Sequence, residues 1–133
     1  MILIIDDQVR EMNSYTLELE LSGYEVLCKS SVDEAWLYFE NNSNHIELCI
    51  IDLMMPSGSI FKDTDTQKGL RTGISFYRKV REISTECAII IFTKFSEMSA
   101  SKGFEHDKKC LYLGKEGYLP FELVEVVRKF LGP

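Results

Sequence analysis

The chain has 133 residues, 45% of them hydrophobic and 27% charged, with a net charge of −6. These values fit one soluble globular domain, 1–133, with a hydrophobic core of its own. The acidic balance argues against a nucleic-acid-binding face, which needs a basic patch, and against an anionic membrane surface.

The apolar start is short and ends in Asp6 and Asp7, unlike a signal peptide. No apolar stretch approaches the roughly 20 residues of a spanning helix. Cys28, Cys49, Cys87 and Cys110 lack a CxxC spacing and a nearby histidine. They read as small buried hydrophobes in a reducing compartment, which makes a cytoplasmic location the expectation.

Strand and helix signals alternate, which predicts a parallel sheet with helices on both faces. Residues 2–6 form the first strand. A helix over 8–21 follows, with Val9, Met12, Thr16 and Leu19 on one face, and it stops before Gly23. Residues 24–30 alternate like an edge strand. The sequence Ser31-Val32-Asp33-Glu34 has the spacing of a capping box. It opens a helix in which Val32, Ala35, Trp36 and Phe39 line one stripe, ended by Asn41 to Asn44. Residues 47–52 are a near-continuous apolar run, as in a strand buried on both faces.

The rhythm then breaks. Residues 57–72 show no periodicity, and connections that long are usually functional or disordered. A lid or partner contact and a tolerated surface insertion stand as equal readings. Ile60 and Phe61 favour docking. A helix over 73–83 follows, with Phe76, Val80 and Ile83 inward. Residues 87–93 form a strand, 96–107 a polar helix, 110–115 a strand and 121–131 a last helix. Leu123, Val124, Val127, Phe130 and Leu131 share the inner face of that helix, and Pro120 stands at its start.

Four strand ends carry reactive groups: Asp6 and Asp7, Asp52, Thr93, and Lys115. Parallel strands bring them to one rim, where open α/β sheets bind ligands. Three converging carboxylates repel unless a hard cation sits between them, and Mg²⁺ suits oxygen ligands that work with phosphate. Asp6 and Asp7 are candidate ligands, directly or through water. Asp52 is a candidate nucleophile toward phosphorus. Lys115 offers positive charge and Thr93 a hydroxyl for phosphoryl oxygens. Taken singly, an acidic pair is as well explained by helix capping, and a strand-end lysine by a solvated ion pair. The ordered combination is what points to phosphoryl chemistry.

The runs Ile4-Ile5-Asp6-Asp7, Ser22-Gly23-Tyr24-Glu25-Val26, Asp33-Glu34-Ala35 and Ile50-Ile51-Asp52-Leu53-Met54-Met55-Pro56 together resemble the receiver domain of two-component response regulators. The resemblance covers essentially the whole chain. It implies a flavodoxin-like, doubly wound α/β fold with a five-stranded parallel sheet of order 2-1-3-4-5. It also implies a histidine kinase or phosphotransfer protein as phosphoryl donor, with Mg²⁺ as cofactor. Asp52 matches the phosphoacceptor, Asp6 and Asp7 the metal-organising pair, and Met54 the residue lending a backbone carbonyl to the metal. Thr93 matches the switch hydroxyl, Lys115 the family's lysine, and Tyr112 the aromatic that turns inward on activation.

Three features depart from the family pattern. Glu116 follows Lys115 where a proline is usual, and the loop before the last helix is longer. Lys94 replaces a small residue after the switch threonine. The loop at 57–72 delays the next helix. Lys94, Phe95 and Met54 predict restricted water access and slow loss of phosphate.

The leading expectation is a phosphorylation-controlled switch that changes the surface formed by the last strand and its flanking helices. At most it catalyses its own phosphorylation and dephosphorylation. The alternative is a phosphorylation-independent interaction module. A Mg²⁺-dependent phosphatase is disfavoured, because Leu53 and Met54 leave no Asp-x-Asp motif at Asp52. The sequence carries no output domain, so partners are a downstream protein or an output domain elsewhere, with neither nucleic acid nor membrane bound directly. Homodimer formation on phosphorylation stays open.

Overall fold

A computed structural model of the chain describes residues 1–61, 71–94, 104 and 106–132. The elements are β1 (Ile2–Ile5), α1 (Val9–Leu21), β2 (Val26–Lys29), α2 (Val32–Asn42), β3 (Leu48–Ile51), α3 (Thr72–Ile83), β4 (Ala88–Thr93), β5 (Cys110–Gly114) and α4 (Pro120–Leu131). Short 3-10 turns cover Ser43–His45 and Lys115–Gly117. The helix expected over 96–107 falls mostly outside the described residues.

All strand pairs are parallel, and the order is β2-β1-β3-β4-β5, as the family resemblance implies. Side chains alternate across a strand, so the central strands feed two cores. Leu3, Ile5, Cys49, Ile51, Ile89 and Ile91 face α2 and α3. Ile2, Ile4, Leu48, Ile50, Ile90 and Phe92 face α1 and α4. Burial on both faces explains why β1, β3 and β4 read as solid apolar runs. Edge strand β2 is only half-buried, and its ladder is shorter than its alternating pattern. Tyr24 instead finishes α1: its N–H donates to the Leu19 carbonyl at 3.1 Å while Gly23 takes a φ of 99°. That left-handed residue ends the helix in the way a glycine permits.

The Ser31 hydroxyl caps α2 by accepting the Glu34 N–H at 3.2 Å, and Val32, Ala35, Trp36 and Phe39 are all buried. The stripes on two other helices differ from the pattern. In α1 the inward positions are Met12, Tyr15 and Leu19, and Val9 is exposed where the helix begins beside the strand ends. In α3 Phe76 and Val80 are buried, but Ile83 is exposed because the helix stops there.

The start of the long connection is pinned to the core. Asp33 of α2 accepts the N–H groups of Ser59 at 2.7 Å and Ile60 at 3.0 Å. Phe61 is fully buried against Trp36 and Phe76, and Ile60 packs on the same cluster. The docking role expected of these two residues is therefore replaced by an anchoring one. Residues 62–70 lie outside the described part.

Candidate functional site

Strand register sets the site. Ile5 of β1 lies opposite Ile51 of β3, so Asp6 and Asp52 leave the sheet side by side, and the Asp52 N–H donates to the Ile5 carbonyl at 3.0 Å. Thr93 ends β4, and Lys115 stands one residue past β5. The four strand ends do meet. They border a pocket of about 290 Å³ lined by Asp7, Gln8, Glu11, Asp52, Met54, Thr93, Lys94 and Lys115.

Carboxylate oxygens of Asp6, Asp7 and Asp52 lie within 4.8 Å of one another. Lys115 Nζ lies 2.6 Å from Asp6 Oδ2 and 3.6 Å from Asp52 Oδ2. The three residues are 7%, 1% and 7% exposed respectively. Asp6 Oδ1 accepts the Gln8 N–H at 2.8 Å, so both Asp6 oxygens are engaged. Asp7 is the most open of the acids.

The electrostatics record the crowding. Burial pushes the Asp6 carboxyl up, and the nearby Asp52 charge adds to this against the Lys115 bond. Asp7 is raised by the same two causes. Burial opposes the charge on Lys115, but the Asp6 hydrogen bond and the Asp52 charge outweigh it and raise its pKa. A divalent cation would relieve this acidic excess, and the residues fit one. A spacing of 4.8 Å slightly exceeds the roughly 4 Å between opposite corners of an octahedron with Mg–O bonds of about 2.1 Å. Small inward movements, or a water in place of one carboxylate, close the difference. Asp7 and Asp52 line the pocket, whereas both Asp6 oxygens already accept hydrogen bonds. The side chain of Met54 is exposed at the pocket wall.

Several contributors were invisible to pattern reading. Gly73 brings the start of α3 against the Asp52–Leu53 main chain, and its N–H donates to the Leu53 carbonyl at 3.0 Å. The Thr72 hydroxyl donates to the Met55 carbonyl. Glu11 of α1 receives the Lys94 ammonium at 2.7 Å, and that bond holds the Glu11 carboxyl below its usual range. The spacing of the helix after a loop of unknown course gave no hint of the first pair, and an exposed helical glutamate gave none of the last.

Tyr112 is half-buried on β5, outside the pocket lining, with its ring stacked on Phe104 at 6.1 Å. The Lys115–Gly117 turn carries Glu116, and the Tyr118 carbonyl beyond it accepts the Tyr15 hydroxyl at 2.7 Å. This bond secures the lengthened loop to α1. The four cysteines are free thiols; Cys49, Cys87 and Cys110 are buried, as expected of small hydrophobes. No described helix is long and apolar enough to cross a membrane.

A larger hollow of about 490 Å³ lies at the other end of α3, between Tyr77, Arg81 and residues 106–109. At its wall the Tyr77 hydroxyl and Arg81 Nε both donate to Asp107 Oδ2.

Residues 2–120 match the family model for the response regulator receiver domain. Among solved structures, a receiver domain protein from Methanospirillum hungatei is similar with a TM-score of 0.78 and 23% identity, covering 98% of this chain and 91% of that one. A receiver domain protein from Clostridium thermocellum is similar with a TM-score of 0.74 and 25% identity, covering 98% and 92%. A chemotaxis protein of Vibrio cholerae has a TM-score of 0.75 and 19% identity, covering 97% and 96%. No curated protein matches the sequence. With an Asp-rich pocket at the strand ends of a 2-1-3-4-5 sheet and a family match across most of its length, the chain belongs to the response regulator receiver domains of two-component systems.

Proposed function

We propose that residues 1–133 act as one receiver domain that accepts a phosphoryl group on Asp52 and uses it to switch a protein-interaction surface. The observation that carries this reading is the position of Asp52. It is almost buried at the end of β3, yet it borders the pocket, with Lys115 Nζ 3.6 Å away. A buried carboxylate with one adjacent cation and an open approach suits attack on phosphorus better than a structural ion pair does.

The donor is a phosphohistidine on a kinase or phosphotransfer protein. An Asp52 oxygen forms the new P–O bond, the P–N bond breaks, and the departing imidazole takes up a proton. Asp6, Asp7 and Asp52 would hold Mg²⁺, which would supply positive charge toward the phosphoryl oxygens. Met54 is proposed to contribute its carbonyl to that ion. Lys115 neutralises one phosphoryl oxygen, and the Thr93 hydroxyl donates to another. These contacts exist only in the phosphorylated state, so they shift the population. Tyr112 on β5 is the proposed relay to the surface that a downstream protein or output domain reads. The reducing interior of the cell is the proposed setting.

The competing reading is a receiver-fold module that binds partners without phosphorylation. The Lys94–Glu11 ion pair at the pocket favours it, since it narrows the approach to Asp52. Titration with Mg²⁺, with and without beryllofluoride as a phosphoryl mimic, separates the two. Trp36 contacts Phe61 of the segment that follows β3, so its fluorescence reports on that segment. The phosphoacceptor reading expects a saturable change that Asp52→Asn abolishes. An unaltered response in Asp52→Asn, or none in the folded wild type, sinks it.

A further inference from the structure

Two cations border the acidic pocket, and their bonding differs. Lys115 is almost buried and is held by both Asp6 and Asp52. Lys94 is 60% exposed and meets Glu11, which is 41% exposed, at 2.7 Å. Both partners of that second pair line the pocket with Asp52 and Thr93. Lys94 also directly follows Thr93, so its main chain is fixed at the carboxyl end of β4. Its flexible four-carbon stem leaves the ammonium free to swing about that anchor.

We propose that Lys94 is an exchangeable cation: Glu11 holds it at the pocket mouth while Asp52 is unmodified, and phosphoryl oxygens take it over once Asp52 carries them. This rests on the phosphoacceptor reading of Asp52 and adds Lys94 and Glu11 to it. The exchange is favourable on charge. A solvated lysine–glutamate pair is weakly held, whereas a phosphoryl group brings a charge of roughly −1.5 to −2 and three strong acceptors. Glu11, once released, is exposed enough to be hydrated without a new partner. Among the described lining residues the acids are Asp7, Glu11 and Asp52 and the cations Lys94 and Lys115, so the pocket has an acidic excess before any anion enters. Lys115 cannot leave without stranding buried Asp6. Lys94 is the lining cation whose departure strands nothing buried.

The test is a double-mutant cycle on beryllofluoride affinity at saturating Mg²⁺ and fixed ionic strength, with wild type, Glu11→Gln, Lys94→Met and the double variant. The proposal expects Lys94→Met to weaken binding about tenfold, the size of one charge-assisted hydrogen bond. Glu11→Gln should tighten it severalfold by removing the competitor for Lys94. In the Lys94→Met background, Glu11→Gln should have a much smaller effect. If Lys94→Met binds like wild type, or Glu11→Gln has the same effect in both backgrounds, the exchange is overturned and Glu11 acts only as a distant charge. Wild type that ignores beryllofluoride, or Asp52→Asn that binds it equally well, overturns the phosphoacceptor reading and the exchange with it. The first pair of results leaves that reading standing, so the two failures are distinct.

Discussion

A methyl group on Gly73 would lie 2.3 Å from the carbonyl oxygen of Asp52. The first turn of α3 thus presses directly on the main chain that carries the proposed phosphoacceptor. Neither side has room to yield, because Gly73 N–H is bonded to the Leu53 carbonyl and Thr72 to the Met55 carbonyl. Gly73→Ala should destabilise the fold by about 1–3 kcal/mol, the usual cost of overpacking. It should also weaken Mg²⁺ and beryllofluoride binding, since Asp52 must shift. Urea unfolding and cation titration check this; a variant matching wild type in both would show that the helix and strand separate easily.

Lys115 and Asp6 form the most buried ion pair described, at 2.6 Å. Removing one member of a buried pair costs about 3–5 kcal/mol, because a charge is left without compensation. Lys115→Met should therefore lower stability by roughly that amount at pH 7 in the absence of Mg²⁺. Asp6 would then be pushed further up, and adding Asp6→Asn to Lys115→Met should recover part of the loss. Calorimetric unfolding of the two variants measures it. A double variant no more stable than the single one would place the cost elsewhere, in the alkyl packing of the lysine.

The parallel strands and the acidic rim were legible because both are written in short contiguous runs, whereas the strand order β2-β1-β3-β4-β5 followed only from the family resemblance. Ile50 to Asp52 carries its strand, its burial and its reactive group in a row, and parallel strands align such runs without further information. The long connection was not legible in this way. Ile60 and Phe61 look like an exposed apolar pair in a polar stretch, but Phe61 fills a space between Trp36 and Phe76 that only the folded chain defines. Asp33 reads as part of a helix start, and its carboxylate in fact receives two N–H groups from 26 and 27 residues away. The Lys94–Glu11 pair spans 83 residues and has no periodic signature. What the sequence hid were side-chain partnerships across long separations.

Because Phe61 is an anchor, its loss should be costly. Phe61→Ala should destabilise by about 3–5 kcal/mol, as large-to-small changes in a packed core do. Trp36, whose ring meets Phe61 edge-on with centroids 6.5 Å apart, should show altered emission in the folded state. Asp33→Ala should have a milder effect of about 1–3 kcal/mol, chiefly from the part-buried Ile60 N–H left without its charged acceptor, since the exposed Ser59 N–H can turn to water. Urea unfolding ranks the two. A Phe61→Ala protein as stable as wild type would return the segment to the surface and restore a docking role.

The last prediction concerns alkaline pH. Tyr77 is buried and donates its hydroxyl to Asp107, which Arg81 also holds at 2.7 Å. Burial, then the bond to Asp107, pushes the Tyr77 hydroxyl up from 10.0 to about 12. A group whose pKa is raised on folding lends stability that is complete below its unfolded pKa and disappears as pH climbs through the folded one. For Tyr77 that window runs from about pH 10 to about pH 12. The wild type should lose stability across this range faster than Tyr77→Phe, which has no hydroxyl to ionise. At pH 7 the wild type should be the more stable of the two, since Tyr77→Phe lacks a hydrogen bond to a charged acceptor worth about 1.5–3 kcal/mol. The difference between the two curves reports Tyr77 together with its interaction with the nearby Cys110 thiol. Parallel curves from pH 7 to pH 12 would mean that the hydroxyl is as free to ionise folded as unfolded, and that Asp107 is held by Arg81 and the Lys109 N–H without it.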